Sequence, residues 1–339
     1  MHKLNQPLTS ETACPACGAT QARVVATRDG KTARPLLTLE CAGCGLGRID
    51  PLPSKEELHA WYTEHYRQAY KGVVTPQLRH VLRAGRNALQ RWEWVSGHAQ
   101  QHWQTGAGPA KTLDIGASSG EFVYLMQSMG FDACGIEPHA GYASHARDVL
   151  GLHILHGSLE DQLAAFEPHS LQLVTLFHVL EHLVDPVPTL RRLAGLLAPD
   201  GLLYIEVPNA ARFCAPHSMF FRAHTLYFSA QSLQQVFLAA GLRIVAHNAA
   251  SDDNLVLVAQ AGIPSSGTPT SSPPLAPHWQ PGTALTQAQH KRRWLPYLWQ
   301  QLRRGQAVRN TLRRLEERRH AMNFPHAKAL LDGLYASRH

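Results

Sequence analysis

Leu113-Asp-Ile-Gly-Ala-Ser-Ser-Gly-Glu-Phe122 is the stretch that decides the fold. Its first residues are apolar, its middle is small, and its end opens a stretch with helical spacing, so it reads as strand, tight turn and helix start. Gly116 and Gly120 let the backbone turn and approach a ligand, and the first N–H groups of the following helix lack intrahelical partners. A dinucleotide-binding turn would carry G-x-G-x-x-G, which Ala117 and Ser118 do not supply. Glu137 lies 23 residues beyond Asp114, the length of one strand-helix-strand unit, in Gly135-Ile-Glu137-Pro138. A carboxylate there can take both hydroxyls of a ribose. Gly157-Ser-Leu159-Glu160 stands where a third strand should end, in position to read an adenine edge.

Outward from this motif, short apolar runs alternate with helical stretches, the pattern of a mainly parallel sheet covered on both faces. Strands are expected near 112–115, 133–136, 171–177, 202–207, 243–247 and 255–258. Five segments follow: a cysteine-bearing module at 1–53, a helical lead-in at 54–110, the α/β domain at 111–261, a Pro/Ser/Thr-rich linker at 262–282, and a basic helical tail at 283–339. In the lead-in, Ser54 is placed as an N-cap with Glu57 at the capping-box position, and Leu78, Val81, Leu82, Leu89 and Trp92 share one helical face. The linker composition cannot bury a core. In the tail, Leu298, Leu302, Val308, Leu312, Leu315 and Met322 fall on one side, and seven arginines from Arg303 to Arg319 on the rest.

Cys14-Pro-Ala-Cys17-Gly and Cys41-Ala-Gly-Cys44-Gly each aim two thiolates at one centre, and four such ligands suit a structural zinc. Cys134 and Cys214 are expected to be ordinary thiols. The chain has 339 residues and a net charge of +7. That charge sits in the tail: residues 281–339 hold 12 Lys/Arg against 3 Asp/Glu, and residues 1–280 hold 20 against 22. Residues 1–280 are therefore not basic, and nucleic-acid binding does not follow from the total. With no signal-peptide h-region in the first residues and no apolar run of spanning length, the expected location is the cytoplasm, with the tail either folded back on its own domain or self-associated, or a peripheral contact for the membrane's inner face or a partner helix.

Taken together, the Cys-x-x-Cys pairs, DIGASSGEF, GIEP, HVLEHLVDP, a Pro-Asp-Gly turn and LYIEVPN resemble the zinc-module enzymes of the class I S-adenosylmethionine-dependent methyltransferase family over about residues 12–260. That resemblance implies a Rossmann-like sheet, S-adenosylmethionine as cofactor, and a sugar or other biosynthetic intermediate as acceptor. It implies that Asp114, Gly116, Gly120, Glu137, Pro138, Leu159 and Glu160 line the cofactor and that His178 borders the methyl group. The chain departs from the pattern at Ala117 and Ser118, and at Leu171-Gln172, where many relatives carry Phe-Asp.

His178-Val-Leu-Glu181-His182 also matches the H-x-x-E-H signature of inverted zinc peptidases, in which both histidines ligate from one helix. Here the motif directly follows an apolar strand and is closed by Asp185-Pro186, against that reading. In the sugar C-methyltransferases that the chain resembles, Tyr-x-Glu-His supports proton removal from carbon. Phe221-Arg-Ala-His224 keeps only the histidine, so a hydroxyl acceptor is expected first and an amine second, with His224 the candidate base. Tyr66 and Tyr70 are candidates to close the pocket. An RNA methyltransferase and a non-catalytic binding module are the alternatives.

Overall fold

The computed structural model describes residues 3–61, 76–99, 108–212, 219–249, 253–262, 284–285 and 306–336. Tyr66, Tyr70, Cys214, the 263–282 linker, Leu298 and Leu302 lie outside them. The described strands are β1 (Pro7–Thr9), β2 (Gln21–Arg28), β3 (Pro35–Cys41), β4 (Gly47–Asp50), β5 (Lys111–Ile115), β6 (Asp132–Glu137), β7 (Ile154–His156), β8 (Leu171–Phe177), β9 (Leu197–Pro208), β10 (Leu226–Tyr227), β11 (Leu242–His247) and β12 (Asn254–Ala261). The helices are α1 (Lys55–Trp61), α2 (Leu78–Ala99), α3 (Glu121–Ser128), α4 (Ala140–Asp148), α5 (Leu159–Gln162), α6 (Pro186–Leu196), α7 (Ala230–Ala239), α8 (Gln306–Ala321) and α9 (Ala327–Tyr335). All six expected strands form.

Seven strands make one sheet in the order β11-β12-β9-β8-β5-β6-β7. β5 pairs in parallel with both β6 and β8, β6 in parallel with β7, and β11 antiparallel with β12. This is a Rossmann-like sheet, whose parallel strands are apolar on both faces because helices cover both. Leu113, Ile115, Ile136, Leu173, Val174 and Leu176 are accordingly buried. Gln172 accepts the Lys111 N–H at 2.7 Å while Leu171 is buried, so the departure at these two positions is accommodated at the strand's start.

The chain divides into two compact units. One draws on residues 56–176, 195–204 and 304–339. In it α2 buries Val81, Leu82, Ala88, Trp92 and Val95, and packs on α3, α8 and α9. Gly85 of α2 permits the close approach of α9: a Cβ there would lie 2.7 Å from Leu334 Cδ2, 2.9 Å from Leu331 Cδ2 and 3.2 Å from Tyr335 Oη. Leu330, Leu331 and Tyr335 are buried, and Tyr335 Oη donates to the Glu121 carbonyl at 3.0 Å. Glu317 of α8 is buried and paired with Arg83. Residues 306–336 thus pack within this unit, because α9 has an apolar face and Gly85 of α2 leaves room for it.

The other unit draws on residues 1–55, 177–194 and 205–303. Its sheet runs β1-β2-β3-β4-β10, antiparallel throughout. The last strand comes from far along the chain: Leu226 pairs with Arg48 and Tyr227 with Gly47. Val25, Ala26, Ile49, Ala210, Phe220, Tyr227 and Leu285 form one buried cluster, so the cysteine module shares a core with residues 210–227. Asp29 tightens the link by accepting the Arg222 N–H at 2.8 Å.

Candidate active site

In the first unit described, the carboxyl ends of β5 and β6 face the same way, where open α/β sheets receive ligands. The chain leaves β5 through Gly116 (φ 72°), Ser118 (φ 55°) and Gly120 (φ 89°), and α3 opens at Gly120 with no side-chain cap. Such an N-terminus suits an anionic group. A Cβ on Gly120 would lie 2.4 Å from Leu152 Cδ1, so positive φ and lack of space both demand glycine. Gly116 and Ala117 donate to the Ile136 carbonyl, which ties the turn to β6. Glu137 is buried, its two carboxylate oxygens accepting the N–H groups of Ser118 at 2.8 Å and His139 at 3.0 Å. Pro138 follows it, half-buried. Leu159, buried, and Glu160, exposed, begin α5 behind the cap of Ser158. Asp114 is buried and accepts from Thr175 Oγ1 at 2.7 Å. Burial pushes its carboxyl up to about 7, against the pull of that hydrogen bond. Asp114 thus braces β5 against β8.

In the other unit, His178 follows the last residue of β8 in left-handed backbone (φ 59°), an uncommon state for a residue with a Cβ. The Glu206 carbonyl accepts its N–H at 2.9 Å, and its ring meets two carboxylates: Nε2 lies 3.2 Å from Glu206 Oε1 and Nδ1 3.3 Å from Glu181 Oε1. Asn254 donates to the same Glu206 oxygen at 2.6 Å. Burial opposes a charge on His178, but the two carboxylates outweigh it and raise its pKa to about 9. His182 Nδ1 lies 2.7 Å from the Ala223 carbonyl, and its ring is edge-on to His224 with centroids 5.0 Å apart. Burial first, and then the neighbouring His182, depress His224 to about 3, so it is neutral near pH 7. A base this weak takes little of a hydroxyl proton at neutral pH. Lys31 sits over the Phe221 ring beside it at 3.4 Å.

The methyltransferase domain family matches residues 90–247. Those residues hold β5 to β8, the Gly-rich turn and Glu137. Over that stretch the chain resembles a methyltransferase domain. Among known proteins, the ubiquinone biosynthesis O-methyltransferase of Neisseria meningitidis serogroup C (strain 053442) is 27% identical over 128 residues, 35% of this chain and 50% of that protein. The protein of the same name from Xanthomonas campestris pv. campestris (strain B100) is 32% identical over 108 residues, 30% of this chain and 44% of that one. The chain thus spans about half the length of these curated relatives, or less. A solved structure of a SAM dependent methyltransferase from Aquifex aeolicus superposes with a TM-score of 0.39 at 16% identity, covering 50% of this chain and 88% of the other.

Ahead of the residues that match this family, the four thiols of Cys14, Cys17, Cys41 and Cys44 converge. Sγ of Cys14 lies 3.6 Å from that of Cys44, and Sγ of Cys17 lies 3.5 Å from that of Cys41. These distances are too long for a disulfide. A tetrahedral cation with ~2.3 Å bonds sets its sulfurs about 3.8 Å apart, so the donors fit one zinc-class ion after a small expansion. Gly43 N–H donates to Cys41 Sγ at 3.3 Å, the outer-shell contact that such thiolates take. Cys134, buried in β6, has its thiol pushed up to about 11 by burial and is inert, as expected for an ordinary thiol.

The inverted-peptidase reading fails on geometry. Only Leu180–His182 form a single 3-10 turn, His178 stands outside it in left-handed backbone, and its ring is spent on two carboxylates. Glu206, Asn254 and Tyr335 were not among the sequence candidates. Glu206 could have been found as an acidic residue within the apolar run LYIEVPN, where an unpaired charge is too costly to bury. Asn254 and Tyr335 carry no local signal.

Proposed function

We propose that the chain transfers a methyl group from S-adenosylmethionine to a hydroxyl of a small biosynthetic intermediate, a sugar derivative or similar metabolite, with an amine as the second choice. The observation that carries this reading is the turn Gly116–Gly120 locked to β6, with Glu137 fixed at that strand's end by two backbone N–H groups. In this reading Glu137 holds the ribose hydroxyls, the first turn of α3 takes the methionyl carboxylate, and Leu159 and Glu160 lie along the adenine. When bound, the cofactor supplies a sulfonium-activated methyl for in-line displacement. The protein's part is then positioning: His178, held by Glu181 and Glu206, and His224, held by the 220–227 loop, are the acceptor-side residues. Two features favour oxygen: Phe221 and Ala223 replace the groups that assist carbon deprotonation in similar enzymes, and the relatives above bear the name O-methyltransferase. Titration with S-adenosylhomocysteine, followed by labelled-methyl transfer onto fractions of cell extract, tests it. No binding of S-adenosylhomocysteine sinks the cofactor assignment, and label arriving only in RNA sinks the small-molecule one.

Zinc in the four-cysteine cluster belongs to the same proposal. The pairing of β10 with β4 gives it a purpose, since that strand carries the loop of His224. On α8 Leu312 and Leu315, and just past its end Met322, are 60%, 54% and 68% exposed, flanked by Arg309, Arg313, Arg318 and Arg319. This pairing of apolar and basic side chains favours an anionic membrane surface, where each basic residue contributes ~1 kcal/mol. Salt-sensitive binding to phosphatidylserine vesicles, lost in Leu312→Asp/Leu315→Asp, is the expected result, and indifference of the native chain at low salt overturns it.

A further inference from the structure

Glu181 is 1% exposed, yet neither of its carboxylate oxygens makes a well-aimed hydrogen bond. The 3.3 Å approach of His178 is an ion pair off the hydrogen-bonding direction. An unsatisfied buried carboxylate is costly, and what surrounds this one is a set of ligand-type atoms. His182 points its Nε2 at Glu181 Oε1, 3.9 Å away. Because a carbonyl only accepts, the 2.7 Å contact between His182 Nδ1 and the Ala223 oxygen places a proton on Nδ1 and leaves Nε2 as the ring atom turned to Glu181. His224 completes the group: one ligand atom each from Glu181, His182 and His224 all lie within 4.8 Å of one another.

We propose that Glu181, His182 and His224 bind a second divalent cation of the zinc class, separate from the four-cysteine cluster. Two imidazoles and one carboxylate are the donor set of open zinc sites, which leave a fourth position for an oxygen ligand. A tetrahedral ion with ~2.1 Å bonds sets its donors about 3.4 Å apart, so Glu181 and His182 close by about half an ångström on binding. The outer shell is in place. Ala223 fixes the His182 tautomer, His178 lies against the Glu181 carboxylate, and Thr225 donates both its N–H (2.9 Å) and its hydroxyl (3.0 Å) to the Glu181 carbonyl. An acceptor hydroxyl entering the fourth position would lose its proton more readily. That use rests on the hydroxyl reading above, whereas binding of the ion does not.

The test is metal stoichiometry of the full chain with cobalt(II) as probe. Two equivalents are expected. One gives the strong near-ultraviolet charge-transfer band of cobalt-bound thiolate, and the second gives only weak visible bands, for lack of sulfur. His182→Ala should remove the second and keep the first, and Glu181→Gln should weaken the second by about tenfold or more. The charge-transfer band serves as the check that each variant is folded, since the cysteine module shares its core with residues 210–227. Saturation at one equivalent, or a second equivalent untouched by both variants, overturns the proposal. Two equivalents with no S-adenosylhomocysteine binding would refute the functional reading and leave the metal site standing.

Discussion

Gly85→Ala should report whether α9 is seated on α2. On an exposed helix the change gains ~1 kcal/mol, because alanine loses less backbone freedom and shields the helix. Here the added methyl would meet Leu334 at 2.7 Å and Leu331 at 2.9 Å. Forcing a methyl into a filled contact costs roughly 1–3 kcal/mol, so the net effect should be a loss of about 0–2 kcal/mol. Leu331→Ala alone, emptying a fully buried site, should cost ~2–5 kcal/mol. In the double variant the Leu331 contact is gone and Leu334 can shift into the vacated space, so part of the helix-propensity gain returns. The two changes should then couple favourably by about 1–2 kcal/mol. Urea unfolding of the four proteins, followed by far-ultraviolet circular dichroism, measures the cycle. Additivity within ~0.5 kcal/mol, or a gain from Gly85→Ala in the native background, would refute the docking of α9.

Three further outcomes are expected. Glu137→Ala should lose S-adenosylhomocysteine binding in calorimetry and also destabilise the domain by ~1–3 kcal/mol for each of the two N–H groups it orphans, whereas loss of binding alone would show that those hydrogen bonds are dispensable. Arg83, hydrogen-bonded to Glu317, holds that carboxyl below its ordinary 4.5. A group whose pKa is depressed on folding contributes stability above its unfolded pKa and loses it as the pH falls through the folded one, so the stabilities of wild type and Glu317→Gln should differ near pH 7 and converge below about pH 4. A constant difference down to pH 3 would count against the pair. Cys41→Ser/Cys44→Ser should lose the cysteine-bound metal and speed amide exchange at Leu226 and Tyr227, which lie on the strand paired to β4; unchanged exchange there would separate the module from the His224 loop.

Much of this protein was legible in local pattern. A parallel sheet buried on both faces writes its strands as apolar runs, and a sharp turn that needs positive φ writes its glycines, so 111–137 could be read directly. Four thiolates in two Cys-x-x-Cys turns likewise declare a shared centre. Tertiary structure alone decided the rest. β10 is two residues long, too short to have a period, and its pairing with β4 depends on a partner some 180 residues earlier. The apolar face of the tail could be counted from its spacing, but nothing in that spacing names Gly85 and Glu121 as what α9 would touch. His178-Val-Leu-Glu-His182 looks like one metal motif in sequence. In space the left-handed turn at His178 brings its ring between Glu206 and Glu181, and His224, from a distant loop, joins Glu181 and His182, because a backbone dihedral and a long-range strand pairing are set by the whole fold.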